Sequence, residues 1–202
     1  MKSYHLPCDH GIARRENLSI ETDAGTKELR LHPKNGVVDT VTVDMGEPIL
    51  DGSQIPVAAE GRVVDAPLEV GATRYRVTCV SMGNPHCVVF FDEDIEALPL
   101  SEIGPKFEHH PFFPKRVNTE FIRVFNRGEL RMRVWERGSG ETAACGTGAC
   151  AALVAAVLTE RADRRALLHL NGGDLSIEWE ASRNHVLMTG GATEVFSGEL
   201  DL

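Results

Sequence analysis

Residues 134–157 read VWERGSGETAACGTGACAALVAAV, and the rest of the chain is best interpreted outward from this stretch. Leu130–Trp135 overlaps the beginning of this stretch. It alternates apolar residues with arginine, a period of two that predicts a half-buried strand. The glycines that follow let the backbone turn tightly and approach a ligand closely. Ala149–Leu158 is then almost uniformly apolar over a helical length. The stretch therefore predicts a strand, a glycine-rich loop and a buried helix.

Cys145 lies where that helix should begin. The first turn of a helix has unpaired N–H groups and a partial positive charge, so we expect the pKa of this thiol to be lowered. The N–H groups of Gly146 and Thr147 would form a site for a carboxylate or phosphate on the same turn. We predict that Cys145 is catalytic; the alternative is a small buried hydrophobic residue.

Composition narrows the classes of function. The chain has 202 residues, enough for one large or two small domains, with 42% hydrophobic and 25% charged residues. Its formal net charge of −9 argues against nucleic acid and anionic membranes as partners and favours a small molecule. With no membrane-spanning run and no signal peptide at its start, the chain is predicted to be cytoplasmic. Its cysteines form no C-x-x-C pair and should be reduced; they are Cys8, Cys79, Cys87, Cys145 and Cys150.

Short alternating runs separated by turn residues predict many strands around one helix, which indicates the α+β class. The runs Leu18–Glu21, Glu28–Leu31 and Val37–Val43 should form a meander, with a hairpin turn at Asn35-Gly36. A segment rich in Pro and Gly follows Met45, and we predict a domain boundary there.

Other polar residues are candidates for a binding site. Asn84 and His86 flank a proline after a predicted strand and could face a cleft, or form an ordinary turn. Asn118 could simply begin a strand. Glu136 and Arg137 suit the two charges of a zwitterion, although a surface ion pair is the common arrangement of such neighbours.

Two further classes of site are weaker alternatives. The His109-His110 and His86-Cys87 pairs lack the spacing of a metal-ligand set, so no metal is predicted. Gly146-x-Gly148-x-x-Ala151 has the form of a dinucleotide fingerprint, but a lone match is weak. A nucleotide-binding domain therefore stays an alternative.

Three ordered motifs resemble the diaminopimelate epimerase family of pyridoxal-free amino-acid epimerases, over a stretch from about Leu18 to the C-terminus. They are SMGNPHC at 81–87, FPKRVN at 113–118 and ERGSGETAACGTGAC at 136–150. The resemblance implies two pseudo-symmetric halves, each with antiparallel strands around a central helix, and substrate in the cleft between them. It also implies inversion of LL- and meso-diaminopimelate by two cysteines, one per half, in the route to lysine and peptidoglycan, with no cofactor.

The resemblance assigns roles residue by residue. Cys145 matches the acid/base cysteine of the second half, and Gly146 and Thr147 match its carboxylate-binding turn. His86 and Glu136 match the pair that tunes the cysteine pKa values. The positions matching the residues that hold the distal end of the substrate are Asn84, Asn118, Glu136 and Arg137.

One family motif does not match. The first cysteine of the family lies in an Asn-Gly-x-Arg-Cys stretch that residues 1–202 do not contain, and Cys8 is a poor substitute. We therefore expect residues 1–45, with 192–202 returning, to be a remnant of the first half, and 46–191 to be the complete second half. Such a chain should have little activity alone and could form a homodimer. The alternatives are a related amino-acid racemase or a non-catalytic half-enzyme that binds an amino acid.

Overall fold

The structure is a computed structural model that describes residues 16–22 and 25–193. By their contacts these residues fall into two compact units. The smaller lies within Met1–Asp44 and Thr189–Leu202, and the larger comprises Met45–Met188. Cys8 lies outside the described residues.

The smaller unit contains an antiparallel meander. Its strands are β1 (Asn17–Thr22), β2 (Gly25–Lys34) and β3 (Val37–Asp44), paired β1 to β2 and β2 to β3. Asn35 and Gly36 have φ angles of 55° and 83°, the left-handed conformations that a tight hairpin needs and that these residue types tolerate. The predicted meander is confirmed.

The larger unit is built on a mixed sheet in the order β11-β10-β8-β7-β6-β5-β4. Strand β9 pairs with the C-terminal end of β8. Most neighbours are antiparallel, whereas β6 pairs with β7 and β8 with β10 in parallel. A last strand, β12, begins in this unit. The strands are β4 (Ala66–Val70), β5 (Thr73–Ser81), β6 (Pro85–Phe91), β7 (Asn118–Asn126), β8 (Glu129–Glu136), β9 (Gly140–Thr142), β10 (Arg165–Leu170), β11 (Gly173–Trp179) and β12 (Val186–Gly191).

Two α-helices and a short 3-10 helix, Ile95–Ala97, accompany the sheet. Helix α1 spans Leu100–Glu108 and helix α2 spans Gly146–Leu158. Every residue of α2 from Gly148 to Ala156 is buried, because the helix packs against strands of the larger sheet. The α+β class and the buried helix are therefore confirmed.

Two element ends depart from simple local rules. Strand β4 begins only at Ala66, because Asp65 has a φ of 48°, which interrupts an extended chain. Helix α1 is preceded by Pro99, whose side chain makes no cap hydrogen bond.

Trp135, near the end of β8, fixes the position of α1. A Cβ atom at Gly104 would overlap the Trp135 ring, so the absence of a side chain there lets the indole lie directly on the helix. The indole Nε1–H donates to Glu108 Oε2 at 2.8 Å. Helix α1 and strand β8 are thus joined through one side chain.

We predict that Gly104→Ala destabilises the protein. Alanine in a helix normally stabilises by up to about 1 kcal/mol relative to glycine. Here the overlap with the Trp135 ring should reverse the sign and cost about 1–3 kcal/mol, as overpacking does. The free energy of unfolding measured in urea checks this.

Gly128→Ala in the β7–β8 turn is the matched control, since its Cβ would lie no closer than 3.6 Å to another residue's atoms. That variant should stay within about 0.5 kcal/mol of the unmutated chain, as surface changes usually do. Equal effects of the two substitutions would contradict the packing described for Gly104.

Candidate active site

Cys145 occupies the N-cap position of α2. Its φ and ψ of −133° and 107° are extended, and its carbonyl accepts the first helical hydrogen bond from Ala149 N–H at 2.9 Å. The side chain is 6% exposed, and Sγ lies 3.6 Å from Thr147 Oγ1. The thiol therefore lies at the start of the helix, as predicted, but is almost shielded from solvent.

The predicted direction of the Cys145 pKa shift is wrong. Burial raises the pKa of the thiol to about 12, and the charges of Glu120 and Glu136 add to the rise. Hydrogen bonds with Thr147 and Gly148 act in the opposite direction but do not offset it. Loss of hydration therefore dominates, and the thiol is protonated near neutral pH.

Glu120 is a buried acidic residue beside Cys145 that the sequence analysis did not single out. It lies in β7, is fully buried, and has Oε1 directed at the start of α2. A Cβ atom at Gly148 would lie 2.6 Å from this oxygen and 3.2 Å from Cys145 Sγ, so the glycine leaves room for the carboxylate and thiol to approach. A glutamate in a strand beside Phe121 was the available signal, because lone acidic residues are rarely buried without a role.

His86 connects Glu120 to Asn84. Its Nδ1 lies 2.7 Å from Glu120 Oε1, and its Nε2 lies 3.0 Å from Asn84 Oδ1. The ring is fully buried between them. The structure therefore places His86 in a line of polar side chains that reaches the neighbourhood of Cys145, rather than on an open turn.

Asn118 joins two strand ends. Its Oδ1 accepts from the Arg137 backbone N–H at 3.0 Å, and its Nδ2 donates to the Pro85 carbonyl at 3.1 Å. The side chain is 3% exposed. Asn118 thus holds the end of β8 against the beginning of β6 and fixes where Arg137 leaves the sheet.

Glu136 and Arg137 have different partners. The Thr142 hydroxyl donates to Glu136 Oε1, and the Arg137 guanidinium donates to the Lys115 carbonyl at 3.2 Å. Arg137 also lines an open depression of about 370 Å³ with Pro114, Lys115, Arg116 and Gly138. Since three of these five residues are basic, the depression suits a carboxylate.

Glu108 holds the loop that carries Arg137. Its Oε1 accepts from the Gly138 N–H at 2.9 Å and lies 3.4 Å from the Arg116 guanidinium. Burial raises its pKa, but the hydrogen bonds from Trp135 and Gly138 and the nearby charge of Arg116 bring the pKa below its usual value. This carboxylate is satisfied as an anion and is structural.

Other classes of site find little support in the part of the chain that the structure describes. No cluster of three or more His, Cys, Asp or Glu side chains there has the geometry to hold a metal ion. No helix in residues 16–22 and 25–193 is long and apolar enough to cross a membrane. The Glu120 carboxylate lies against Gly148, where the dinucleotide alternative would need space for a phosphate.

A pH dependence follows from the raised pKa of Cys145. At pH 8 the fraction of thiolate should be about a thousandfold smaller than for a thiol with the ordinary pKa of 9.0, since each pKa unit is a factor of ten. Alkylation of Cys145 by iodoacetamide in the ligand-free chain should therefore keep rising about tenfold per pH unit up to pH 10. Peptide mapping by mass spectrometry separates Cys145 from the other cysteines. A plateau below pH 9 would contradict this electrostatic description.

The comparisons with known proteins agree with each other. The family model described as diaminopimelate epimerase matches residues 78–195. A diaminopimelate epimerase of Moorella thermoacetica is 57% identical over 193 residues, covering 95% of this chain and 69% of that protein. A diaminopimelate epimerase from Agathobacter rectalis is 52% identical over 202 residues, covering 96% of this chain and 70% of that protein.

Two solved structures have a similar fold. One is a hydroxyproline epimerase from Agrobacterium vitis with bound trans-4-OH-L-proline, at a TM-score of 0.60 and 20% identity, covering 93% of this chain and 60% of that one. The other is a probable proline racemase from Agrobacterium radiobacter, at a TM-score of 0.67 and 15% identity, covering 98% of this chain and 65% of that one. At such identities the likeness concerns the fold alone.

Proposed function

Because this chain belongs to the diaminopimelate epimerase family, we propose that it acts on diaminopimelate at its α-carbon, with Cys145 as one of the two acid/base groups that interconvert the LL and meso forms. No pyridoxal cofactor takes part. The observation that carries the proposal is the position of Cys145 at the start of the buried helix α2, close to the buried carboxylate of Glu120.

Cys145 removes or delivers the α-proton on one face of the substrate. A thiol whose pKa is raised to about 12 gives a strongly basic thiolate, which suits a weakly acidic C–H bond. The ammonium of the reacting end brings a positive charge near Glu120 and the distal ammonium brings one near Glu136, so the binding of substrate favours the thiolate. The base therefore forms in the presence of its substrate.

The start of α2 holds the reacting carboxylate. The N–H groups of Gly146 and Thr147 are among the first of the helix, where backbone donors lack intrahelical partners. Negative charge moves from the α-carbon onto the carboxylate as the proton leaves, and these donors stabilise it. The same turn thus carries the base and stabilises the carbanion.

The second face needs a second acid/base group. The family resemblance assigns it to a cysteine within Asn-Gly-x-Arg-Cys, a stretch absent from residues 1–202. We interpret 46–191 as one complete epimerase half, and 1–45 with 192–202 as belonging to the other. On this interpretation Cys145 alone exchanges the α-proton from one face, and inversion requires the other cysteine as well.

The distal, non-reacting end of diaminopimelate is placed at the depression beside Arg137. Its guanidinium and the neighbouring Lys115 and Arg116 offer positive charge for the distal carboxylate. Glu136 lies one residue earlier and offers a carboxylate to the distal ammonium, while Asn118 fixes the backbone between β8 and the loop. A substrate with charged groups at both ends matches this arrangement.

Three broader parts of the proposal rest on family membership and composition. The reaction belongs to the route that supplies lysine and peptidoglycan precursors. Its location is the cytoplasm, which accords with a net charge of −9 and a small, charged substrate. A homodimer is the assembly we predict, and sedimentation of the purified chain tests it.

Exchange of the α-proton in D₂O tests the role of Cys145. The unmutated chain should incorporate deuterium into diaminopimelate, and Cys145→Ala should lower the rate by about 10²–10⁴-fold, the usual contribution of a general acid/base. Cys150→Ala is the matched control, since that cysteine is buried within the same helix. It should keep most of the exchange.

Three results would oppose the proposal. Equal exchange by the Cys145→Ala and unmutated chains would remove Cys145 from the reaction. Binding of diaminopimelate without any exchange by the unmutated chain would favour a non-catalytic, amino-acid-binding module. Exchange confined to a different amino acid would indicate a related racemase.

Arg137→Lys tests the distal subsite. Lysine keeps the charge but loses the planar pair of donors, so the Kd for diaminopimelate should rise about 10–100-fold, as expected for lost hydrogen bonds to a charged group. Alanine, which has no distal end, serves as the control ligand, and its binding should not change between the two proteins. Calorimetry measures both. An equal loss for the two ligands would place Arg137 at the reacting end instead.

A further inference from the structure

Strand β9 lies on the segment that connects the two ends of the candidate site. This segment, residues 137–145, begins at Arg137, which lines the depression, and ends at Cys145, the N-cap of α2. It is the covalent connection from β8 to α2. Connecting segments are usually among the more mobile parts of a protein. The separation between Arg137 and Cys145 therefore depends on how firmly residues 137–145 are held.

The first residues of the segment are held through their backbone. Asn118 Oδ1 accepts from the Arg137 N–H at 3.0 Å. Glu108 Oε1 accepts from the next N–H, that of Gly138, at 2.9 Å. Both acceptors belong to buried residues, so water competes little for these bonds. The distal end of the segment is thus fixed to β7 and to α1.

Glu141 holds β9 on the face of β8 that carries Trp135. Glu141 is paired in register with Trp135, and Arg133 lies two residues earlier on the same face of the strand. The Arg133 Nε and Nη2 groups donate to the two carboxylate oxygens of Glu141 at 2.8 and 3.0 Å. A bidentate pair of this kind fixes direction as well as distance.

Arg133 is itself held in place. Its Nη1 donates to the carbonyls of Ile95, Glu96 and Leu98, in and just after the 3-10 helix, at 2.7, 3.0 and 3.0 Å. The side chain is only 11% exposed. A guanidinium engaged at all three nitrogens has little freedom to turn. Glu141 is therefore paired with a rigid partner rather than with a mobile surface cation.

Thr142 holds β9 on the opposite face. It is paired in register with Val134, so Glu136, two residues further along β8, is its diagonal neighbour. The Thr142 hydroxyl donates to Glu136 Oε1. A shift of β9 along β8 would therefore turn the Glu136 carboxylate as well. Strand β9 is thus fastened to β8 through one side chain on each face.

The turn between β10 and β11 holds the last part of the segment. The Gly172 N–H donates to the Ala143 carbonyl at 2.7 Å. A Cβ atom at Gly172 would lie 3.1 Å from that oxygen and 3.3 Å from the Ala144 Cβ. The missing side chain thus lets the turn lie directly against the two residues that precede Cys145.

We propose that β9 determines which length of substrate the site accepts: fastened on both faces, it fixes the separation between Cys145 and the distal subsite at Arg137. Glu141 and Thr142 are positioning residues, because they act through β8 and not on the substrate. Selection by length rests on the proposed function, with a substrate charged at both ends. The rigidity of residues 137–145 belongs to the ligand-free chain and can be measured separately.

Glu141→Ala should loosen the segment in the ligand-free chain. Amide hydrogen exchange, followed by mass spectrometry, should become about fivefold faster in peptides covering 137–145, because local opening no longer has to break the bidentate pair. Glu180→Ala is the matched control. Glu180 also pairs with an arginine, Arg183, and its side chain is 29% exposed against 31% for Glu141. That variant should leave the exchange of these peptides unchanged within about 1.5-fold.

Binding of two ligands measures the selection by length. The unmutated chain should bind diaminopimelate about tenfold more tightly than diaminosuberate, the homologue that is one methylene longer with the same charged ends, since a fixed span cannot suit both. Glu141→Ala should reduce this ratio to about threefold or less, mainly by weakening the binding of diaminopimelate. Glu180→Ala should retain the full ratio. Calorimetry gives the Kd values.

Two substitutions at Thr142 separate its hydroxyl from its bulk. Thr142→Val keeps the branched shape but removes the donor to Glu136, so it should lower the binding ratio as Glu141→Ala does. Thr142→Ser keeps the hydroxyl in a smaller side chain and should retain the ratio. The reverse order would mean that Thr142 contributes only packing, and would overturn its role as a positioning residue.

The two measurements together decide the proposal. Unchanged amide exchange of 137–145 in Glu141→Ala would overturn it, and so would an unchanged binding ratio in a variant whose segment exchanges faster. Faster exchange in Glu141→Ala, with neither ligand bound by the unmutated chain, would count against the proposed function alone. Should Glu141→Ala fail to fold, Glu141→Gln takes its place in both measurements, since it keeps the shape and removes the charge.

Discussion

Removal of water from the start of α2 is the constraint on which the site depends. The helix is buried along its length, so the groups at its beginning lose hydration together. Among them are the Cys145 thiol and the Glu120 carboxylate, which both favour water when charged. Burial is the largest single influence on the thiol, and it outweighs the favourable field of a helix N-terminus.

Two buried carboxylates show how differently this fold treats the same group. Glu108 accepts hydrogen bonds from Trp135 and Gly138 and lies beside Arg116, so its anion is stabilised and its pKa is lowered. Glu120 has only His86 on one oxygen and no described partner on the other. The first carboxylate holds a loop in place, whereas the second stays poorly satisfied next to the thiol. Only the second has a buried oxygen without a hydrogen-bond partner among the described residues.

The sequence predicted much of this architecture because local patterns dictate it. Alternation predicted the meander and strand β8, and the apolar run predicted α2, since these depend on short-range periodicity. Glycines near Cys145 predicted a close approach of the backbone to a ligand; at Gly148 the structure shows the close approach of the Glu120 carboxylate. The motifs also named Asn84, His86 and Asn118, which the structure joins through strand ends.

What the sequence did not reveal depends on distant residues. Glu120 is 25 residues from Cys145 along the chain, and only the packing of β7 beneath α2 brings the two together. The sign of the Cys145 pKa shift is likewise a balance of burial against dipoles, which local sequence does not fix. Gly104 gave no signal either, because its importance comes from the Trp135 ring.

The arrangement explains why a protonated, buried thiol suits this chemistry. An α-proton next to a carboxylate is weakly acidic, so its removal requires a strong base, and a thiolate that is already stabilised before binding would be a weak one. Glu120 and Glu136 make the thiolate costly in the empty site. In the proposed reaction, the ammonium groups of the substrate offset that charge on entry, and the helix N–H groups act later, when charge moves onto the carboxylate. Separate groups thus control when the base forms and how the carbanion is held, which lets one buried turn serve both steps.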